Sequence, residues 1–310
     1  MMKRFVCILL SLMLALPCMS AFATDPTPID TIPFDEILET RDGLHHYLLL
    51  CVDQWRAQPT NLGNSDGIVL LTLDTRGNRV MLTSLIRDAL VKRPDGVIGR
   101  VNYIAKNYGP EALCKVLSEH LNIRIEKYIL FDFQQVANIV DYMGGVDIEV
   151  TASEASYLRR YPLSSEQTTP KMNRAGTYLF TGRAAVIYMR IRKAGGGGDL
   201  MRTQRVRTVL SLLADKCRTI TYEQARALVD SIAENTTMTN MTLDEMVQAM
   251  EYAYGLRSCV IEELRIPQDD AYNSISYAGM SVKDIDWDKS REDMEEFLAS
   301  GWLVIDEEFD

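Results

Sequence analysis

Three short apolar runs, at 46–52, 67–73 and 79–85, constrain this chain more than any other feature. Each has the length of a buried strand and is too short for a buried helix. The second and third are separated only by Asp74-Thr75-Arg76-Gly77-Asn78, residues suited to a hairpin turn. The period then changes. Residues 110–121 open on a proline and repeat apolar side chains at Leu113, Val116, Leu117 and Leu121, which predicts a helix. Residues 127–131 read as a strand, and 133–143 as a helix stopped by Gly144-Gly145. Val146, Ile148 and Val150 alternate with Asp147 and Glu149, the pattern of a strand with one wet face. A hairpin followed by strands interleaved with helices predicts an α/β fold, a central mixed sheet with helices on both faces.

Further along, 151–175 is polar, with prolines at 162 and 170, and reads as a long surface excursion. Thr181 is placed to cap a short helix running toward Tyr188, and Asp199, after the four glycines at 195–198, to cap a long one ending near Arg218. Helical segments follow at 222–234 and 243–255, with an acidic amphipathic stretch at 291–298. The expected organisation is a catalytic domain over 45–220 and a helical extension over 221–310 packed on it. Residues 24–44, with Pro26, Pro28 and Pro33, form a linker.

Lys3 and Arg4, the apolar run 5–16 and Ala21-Phe22-Ala23 have the parts of an export signal over 1–23. No charge falls between Arg4 and Asp25, so an uncleaved membrane anchor is the competing reading. Either predicts an extracytoplasmic domain, secreted or held at the outer face of the cytoplasmic membrane. Beyond the leader stand Cys51, Cys114, Cys217 and Cys259, with no C-x-x-C pair, which argues against zinc. An oxidising compartment leaves disulfides open, but Cys51 and Cys114 sit in hydrophobic runs and read as buried thiols. A net charge of −10 argues against nucleic acid as a partner.

The sequence has no H-E-x-x-H and no P-loop, and only three histidines. The scarcity of histidine points toward chemistry done by carboxylates, arginines and a hard metal. In Tyr188-Met189-Arg190-Ile191-Arg192, an extended backbone puts Tyr188, Arg190 and Arg192 on one side. Paired guanidiniums there are either a solvated stripe or a cradle for an anion. Arg202 falls on the apolar stripe of its helix with Val206, Val209, Leu210 and Leu213. A cation in the first turn of a helix, on the core face, calls for an anion or for a local bond to Asp199. Arg87-Asp88 lies where a strand ends. Asp53 and Asp66, at neighbouring strand ends, are either turn residues or oxygen ligands for one magnesium ion.

Taken in order, these segments resemble the LytR-CpsA-Psr family of cell-wall ligases. The resemblance runs through Leu48-Leu49-Leu50-Cys51-Val52-Asp53, Ser65-Asp66, Ser84-Leu85-Ile86-Arg87-Asp88 and Arg100-Val101-Asn102-Tyr103. It continues through Asp141-Tyr142-Met143-Gly144-Gly145-Val146, Tyr188-x-Arg190-x-Arg192 and Asp199-x-x-Arg202-x-x-Arg205. The resemblance implies an α/β/α sandwich whose apolar cavity holds a polyprenyl chain. It implies diphosphate binding by Arg87, Arg190, Arg192, Arg202 and Arg205, magnesium on Asp53 and Asp66, and catalytic roles for Arg87, Asp88 and Asp199. The implied reaction moves a glycopolymer from a polyprenyl diphosphate carrier onto a peptidoglycan hydroxyl, with membrane contact through the lipid carrier. Three positions depart from the family pattern. Cys51 stands where glycine is usual, Val206 where glutamine is usual, and Trp55 where an arginine is usual, though Arg56 is adjacent. These departures leave a second reading, a non-catalytic extracytoplasmic module that binds polyprenyl phosphate or phosphorylated wall glycans.

Overall fold

The computed structural model describes residues 25–159, 172, 174–192, 194 and 198–300. The leader at 1–23 lies outside the described residues. In chain order the strands are β1 (Leu44–Val52), β2 (Ser65–Asp74), β3 (Arg79–Leu85), β4 (Leu90–Lys92), β5 (Ile98–Arg100) and β6 (Lys127–Phe131). They continue as β7 (Val146–Val150), β8 (Gly176–Phe180), β9 (Met238–Thr239), β10 (Val260–Ile266), β11 (Tyr272–Tyr277) and β12 (Met280–Ile285). The helices are α1 (Ile104–Tyr108), α2 (Pro110–Leu121), α3 (Phe133–Tyr142), α4 (Ala152–Leu158) and α5 (Gly182–Met189). After these come α6 (Gly198–Cys217), α7 (Tyr222–Asn235), α8 (Leu243–Gly255) and α9 (Trp287–Ala299).

The main sheet has the order β10-β3-β2-β1-β6-β9. Pairings β1–β2, β2–β3 and β6–β9 are antiparallel, while β1–β6 and β3–β10 are parallel, so the sheet is mixed as the sequence predicts. Its two faces follow from the period of two along β1. Leu48, Leu50 and Val52 enter the core shared with Leu113, Leu117, Trp287 and Met294 of α2 and α9. Tyr47 points to the opposite face, among Val229, Met246 and Met250 of α7 and α8. Helices on both faces make this an α/β/α sandwich. At the end of β1 the register with β2 slips between Cys51 and Val52, an irregularity that re-aims the chain just before Asp53.

The segment expected to be a helical extension is corrected. Residues 221–300 contribute β9 and β10 to the main sheet and the hairpin β11–β12, so a boundary at 220 cuts through one sheet. β10 carries Glu262 and Glu263 in its middle, which hides it from an apolar pattern. Arg79 pairs with Glu262 at 3.2 Å and Arg207 with Glu263 at 3.0 Å. The linker is corrected as well, for it lies docked on the domain. Thr27 donates to the Asp284 carboxylate, Ile32 to the Glu119 carbonyl, and Ile37 is buried. The polar stretch 151–175 contains α4, which starts with a capping box between Thr151 and Glu154. Residues 160–171 and 173 of that stretch, and 195–197 of the glycine loop, lie outside the described residues.

Candidate functional site

A cavity of about 420 Å³ opens between the sheet and the helices on its Tyr47 side. Leu49, Cys51 and Val69 form its floor, Val136, Ile139 and Val186 one wall, and Val206, Val209, Leu210 and Leu213 of α6 the other. Asp53, Asp66, Arg190, Arg192 and Arg202 also line it. The lining is therefore apolar with a charged cluster, the arrangement expected for a ligand with a greasy body and a polar head. Burial pushes the Cys51 thiol up to about 12, with Asp66, Asp132 and Asp53 adding to the effect. The thiol stays protonated and serves as apolar lining.

Asp66 organises the charged end. Both of its oxygens accept from Arg87 Nη1, at 2.8 and 2.7 Å. Its Oδ2 also accepts from Arg202 Nη1 at 2.8 Å and from Arg192 Nη2 at 3.1 Å, while Arg202 Nη2 donates to the Asp66 carbonyl at 3.0 Å. Burial alone would raise the Asp66 pKa. The guanidinium of Arg202, then those of Arg87 and Arg192, outweigh that and hold it below the usual carboxylate range. Arg190 donates to Asp53 at 3.1 Å and lies over the Phe133 ring at 4.4 Å. Asp88 sits 3.8 Å from Arg87 Nε and 3.4 Å from Arg100 Nη1. Arg87, Arg190, Arg192 and Arg202 thus meet around Asp53 and Asp66 with two positive charges in surplus. A diphosphate esterified at both ends carries two negative charges.

Local folding explains how these groups meet. α5 packs closely on α3 because Gly182 has no side chain, and a Cβ there would lie 2.0 Å from the Ala137 carbonyl oxygen. The first amide of α5, Gly182 N–H, donates to Asp141 at 2.7 Å, so Thr181 stands at the N-cap without supplying the bond. The extended backbone expected at Tyr188–Arg192 is corrected. α5 runs through Met189, Tyr188 turns into the core beside Phe180, and Arg190 closes the helix. Ile191 is buried between Arg190 and Arg192, which still reach the same cavity.

Arg205 does not join the cluster, a correction to its expected role on the diphosphate. It is 2% exposed, donates to Glu154 at 2.7 Å and to the carbonyls of Ile191 and Ala194 at 2.9 and 3.1 Å. It therefore holds the turn that follows Arg190. Its partner Glu154 is a site-supporting residue that the sequence reading missed, although Thr151-x-x-Glu154 has the form of a capping box. Asp199 falls within α6 instead of preceding it, and its side chain lies outside the described residues.

The carboxylates offer hard oxygen donors only, which fits magnesium shared with phosphate oxygens. Asp53 is half-exposed and gives one oxygen to Arg190. Asp66 already has its oxygens engaged by arginines. Among the described residues no group of three or more His, Cys, Asp or Glu could hold a metal by itself.

The sequence model of the LytR_cpsA_psr family matches residues 29–293. Biofilm regulatory protein A of Streptococcus mutans is 25% identical over 233 residues, covering 70% of this chain and 55% of that protein. The polyisoprenyl-teichoic acid–peptidoglycan teichoic acid transferase TagV of Bacillus subtilis is 24% identical over 248 residues, covering 77% of this chain and 60% of TagV. The chain thus spans less than two thirds of the length of either relative. Among solved structures, the LytR-CPS2A-psr family protein YwtF (TagT) with bound octaprenyl pyrophosphate superposes with a TM-score of 0.61 at 18% identity. That match covers 84% of this chain and 90% of the other.

Proposed function

This chain belongs to the LytR_cpsA_psr family, and from that premise we propose that it is an extracytoplasmic phosphotransferase. It moves a glycopolymer from a polyprenyl diphosphate carrier to a sugar hydroxyl of peptidoglycan. The observation that carries the reading is the meeting of Arg190, Arg192 and Arg202 at an apolar cavity, with Arg87 joined to them through Asp66. Teichoic acid transferase is the printed activity of TagV, and octaprenyl pyrophosphate is the ligand named for the TagT structure. Both support the same reading.

The prenyl tail lies along Val206 and Val209 toward Leu210 at the far end, and the diphosphate replaces Asp66 as the acceptor for the guanidiniums. The acceptor hydroxyl oxygen attacks the glycan-bearing phosphorus. The bridging P–O bond breaks, polyprenyl phosphate leaves, and a phosphodiester joins glycan to wall. Asp88, next to Arg87 and Arg100, is the carboxylate assigned to take the hydroxyl proton. Charge neutralisation by oriented guanidiniums provides most of the acceleration in such transfers. Asp53, then Asp66 once its arginines turn to phosphate, would hold magnesium, which when bound further neutralises phosphate oxygens.

The test is transfer of labelled glycan from a lipid diphosphate donor to wall fragments, with and without magnesium and with Arg87→Ala. Transfer that needs both arginine and metal is expected. Wild-type protein that binds the donor but never transfers would leave the binding-module reading, which Val206 on the cavity wall favours.

A second apolar space of about 320 Å³ lies beyond the first, and Leu49 and Leu210 line both. The long tail continues into it. Leu210→Trp is expected to close this passage and weaken octaprenyl diphosphate binding about tenfold while leaving farnesyl diphosphate nearly unaffected, since only the longer tail buries apolar carbons there. Equal losses for both lipids in a titration would contradict the passage.

A further inference from the structure

The loop after β1 carries a tryptophan that the diphosphate site does not use. Trp55, two residues after the cavity-lining Asp53, is half-buried. Its ring meets Phe133, a cavity-lining residue, edge to face at 5.8 Å and 69°. The loop is pinned to the start of α3, because Phe133 N–H donates to the Gln54 carbonyl at 2.8 Å and Ala57 N–H to the Asp132 carboxylate at 2.9 Å. Arg183 of α5 then lays its guanidinium over the indole, 5.2 Å from the ring centre. The ring is therefore held between α3 and α5, on a loop itself tied to α3.

The charges around it differ from those of the diphosphate cradle. Arg190 and Arg192 are each paired with a carboxylate. Arg183 is exposed, and among the described residues no carboxylate pairs with it. Its N–H groups are available to an incoming ligand. A position where the family resemblance leads one to expect arginine thus holds an aromatic ring, with a guanidinium brought to it from another helix.

We propose that Trp55 and Arg183 form a subsite for the sugar ring joined directly to the diphosphate of the donor. The proposal rests on the diphosphate assignment above. A pyranose has an apolar C–H face and a rim of hydroxyls. The indole offers a flat surface for the first, and the Arg183 guanidinium offers donors for the second. With the tail in the cavity and the diphosphate on the arginines, the next covalent group emerges beside Asp53 and Phe133, next to which Trp55 stands.

Two probes separate the parts of the assignment, octaprenyl diphosphate and the same lipid diphosphate esterified to a single hexose. Calorimetric titration of the wild type is expected to favour the glycosylated lipid by about tenfold, the scale of one aromatic contact plus hydrogen bonds. Trp55→Ala should erase that preference and keep the affinity for octaprenyl diphosphate within about twofold, and Trp55→Phe should retain most of the preference. Arg183→Ala should lower it about threefold, as for loss of a single hydrogen-bonded contact. Retained preference in Trp55→Ala, or equal losses for both lipids, overturns the subsite alone. Wild-type protein that binds neither lipid overturns the diphosphate reading and the subsite with it.

Discussion

Arg202→Ala is expected to lower transfer by about two to three orders of magnitude, the range found when one preorganised donor is removed from a developing anion. Arg202 is 4% exposed, in the first turns of α6, with one nitrogen on the Asp66 carboxylate and another on the Asp66 carbonyl. No solvent competes for it, so its charge acts at full strength on whatever replaces that carboxylate. Arg202→Lys should recover only part of the rate, because an ammonium cannot reproduce the two-pronged geometry. Asp66 keeps Arg87 and Arg192 in the variant, so the fold should survive, which circular dichroism would verify. A folded Arg202→Ala protein with near wild-type turnover would remove this residue from the mechanism.

Glu154→Ala should have the largest effect on stability, about 3–5 kcal/mol, the range for removing one partner of a buried ion pair. Glu154 and Arg205 are 5% and 2% exposed, and the mutation strands the guanidinium. It also removes the Glu154 half of the capping box, the acceptor for Thr151 N–H, while the Thr151 hydroxyl still accepts from the backbone N–H of residue 154. Glu154→Gln keeps a hydrogen-bond acceptor and should cost about half as much. Burial works against ionisation of Glu154, but the Thr151 amide and the Arg205 guanidinium prevail and hold its pKa below the usual carboxylate range. Its contribution is therefore present in full above the ordinary carboxylate value and disappears as pH falls through the lowered one. Urea denaturation at neutral pH and near pH 3 measures both statements. An unchanged midpoint at neutral pH would mean that the pair carries no stability.

Legibility of the fold tracks whether one period dominated a segment. β1, β2 and β3 were readable as unbroken apolar runs, and α2 and α3 through their repeats. β10 was not, since Glu262 and Glu263 take their partners from β3 and α6, distant in sequence. The site divides along the same line. Arg202 betrayed itself by lying on an apolar stripe, and Arg190 with Arg192 by their spacing. Arg205 lies on nearly the same face of α6 as Arg202. What separates them is Glu154, 51 residues upstream, which holds Arg205 away from the cavity that Arg202 lines. Tyr188 was misread because a strand period over five residues cannot be told from the last turn of a helix.

The parallel pairing of β10 with β3 has a consequence for how the chain is produced. β3 would be the rim of the sheet without it, and a bare rim offers its amides and carbonyls to any passing strand. A nascent polypeptide keeps that rim open until residue 266 has emerged. Fragments cut near 220 should accordingly stick to one another in solution, however complete their arginine cluster.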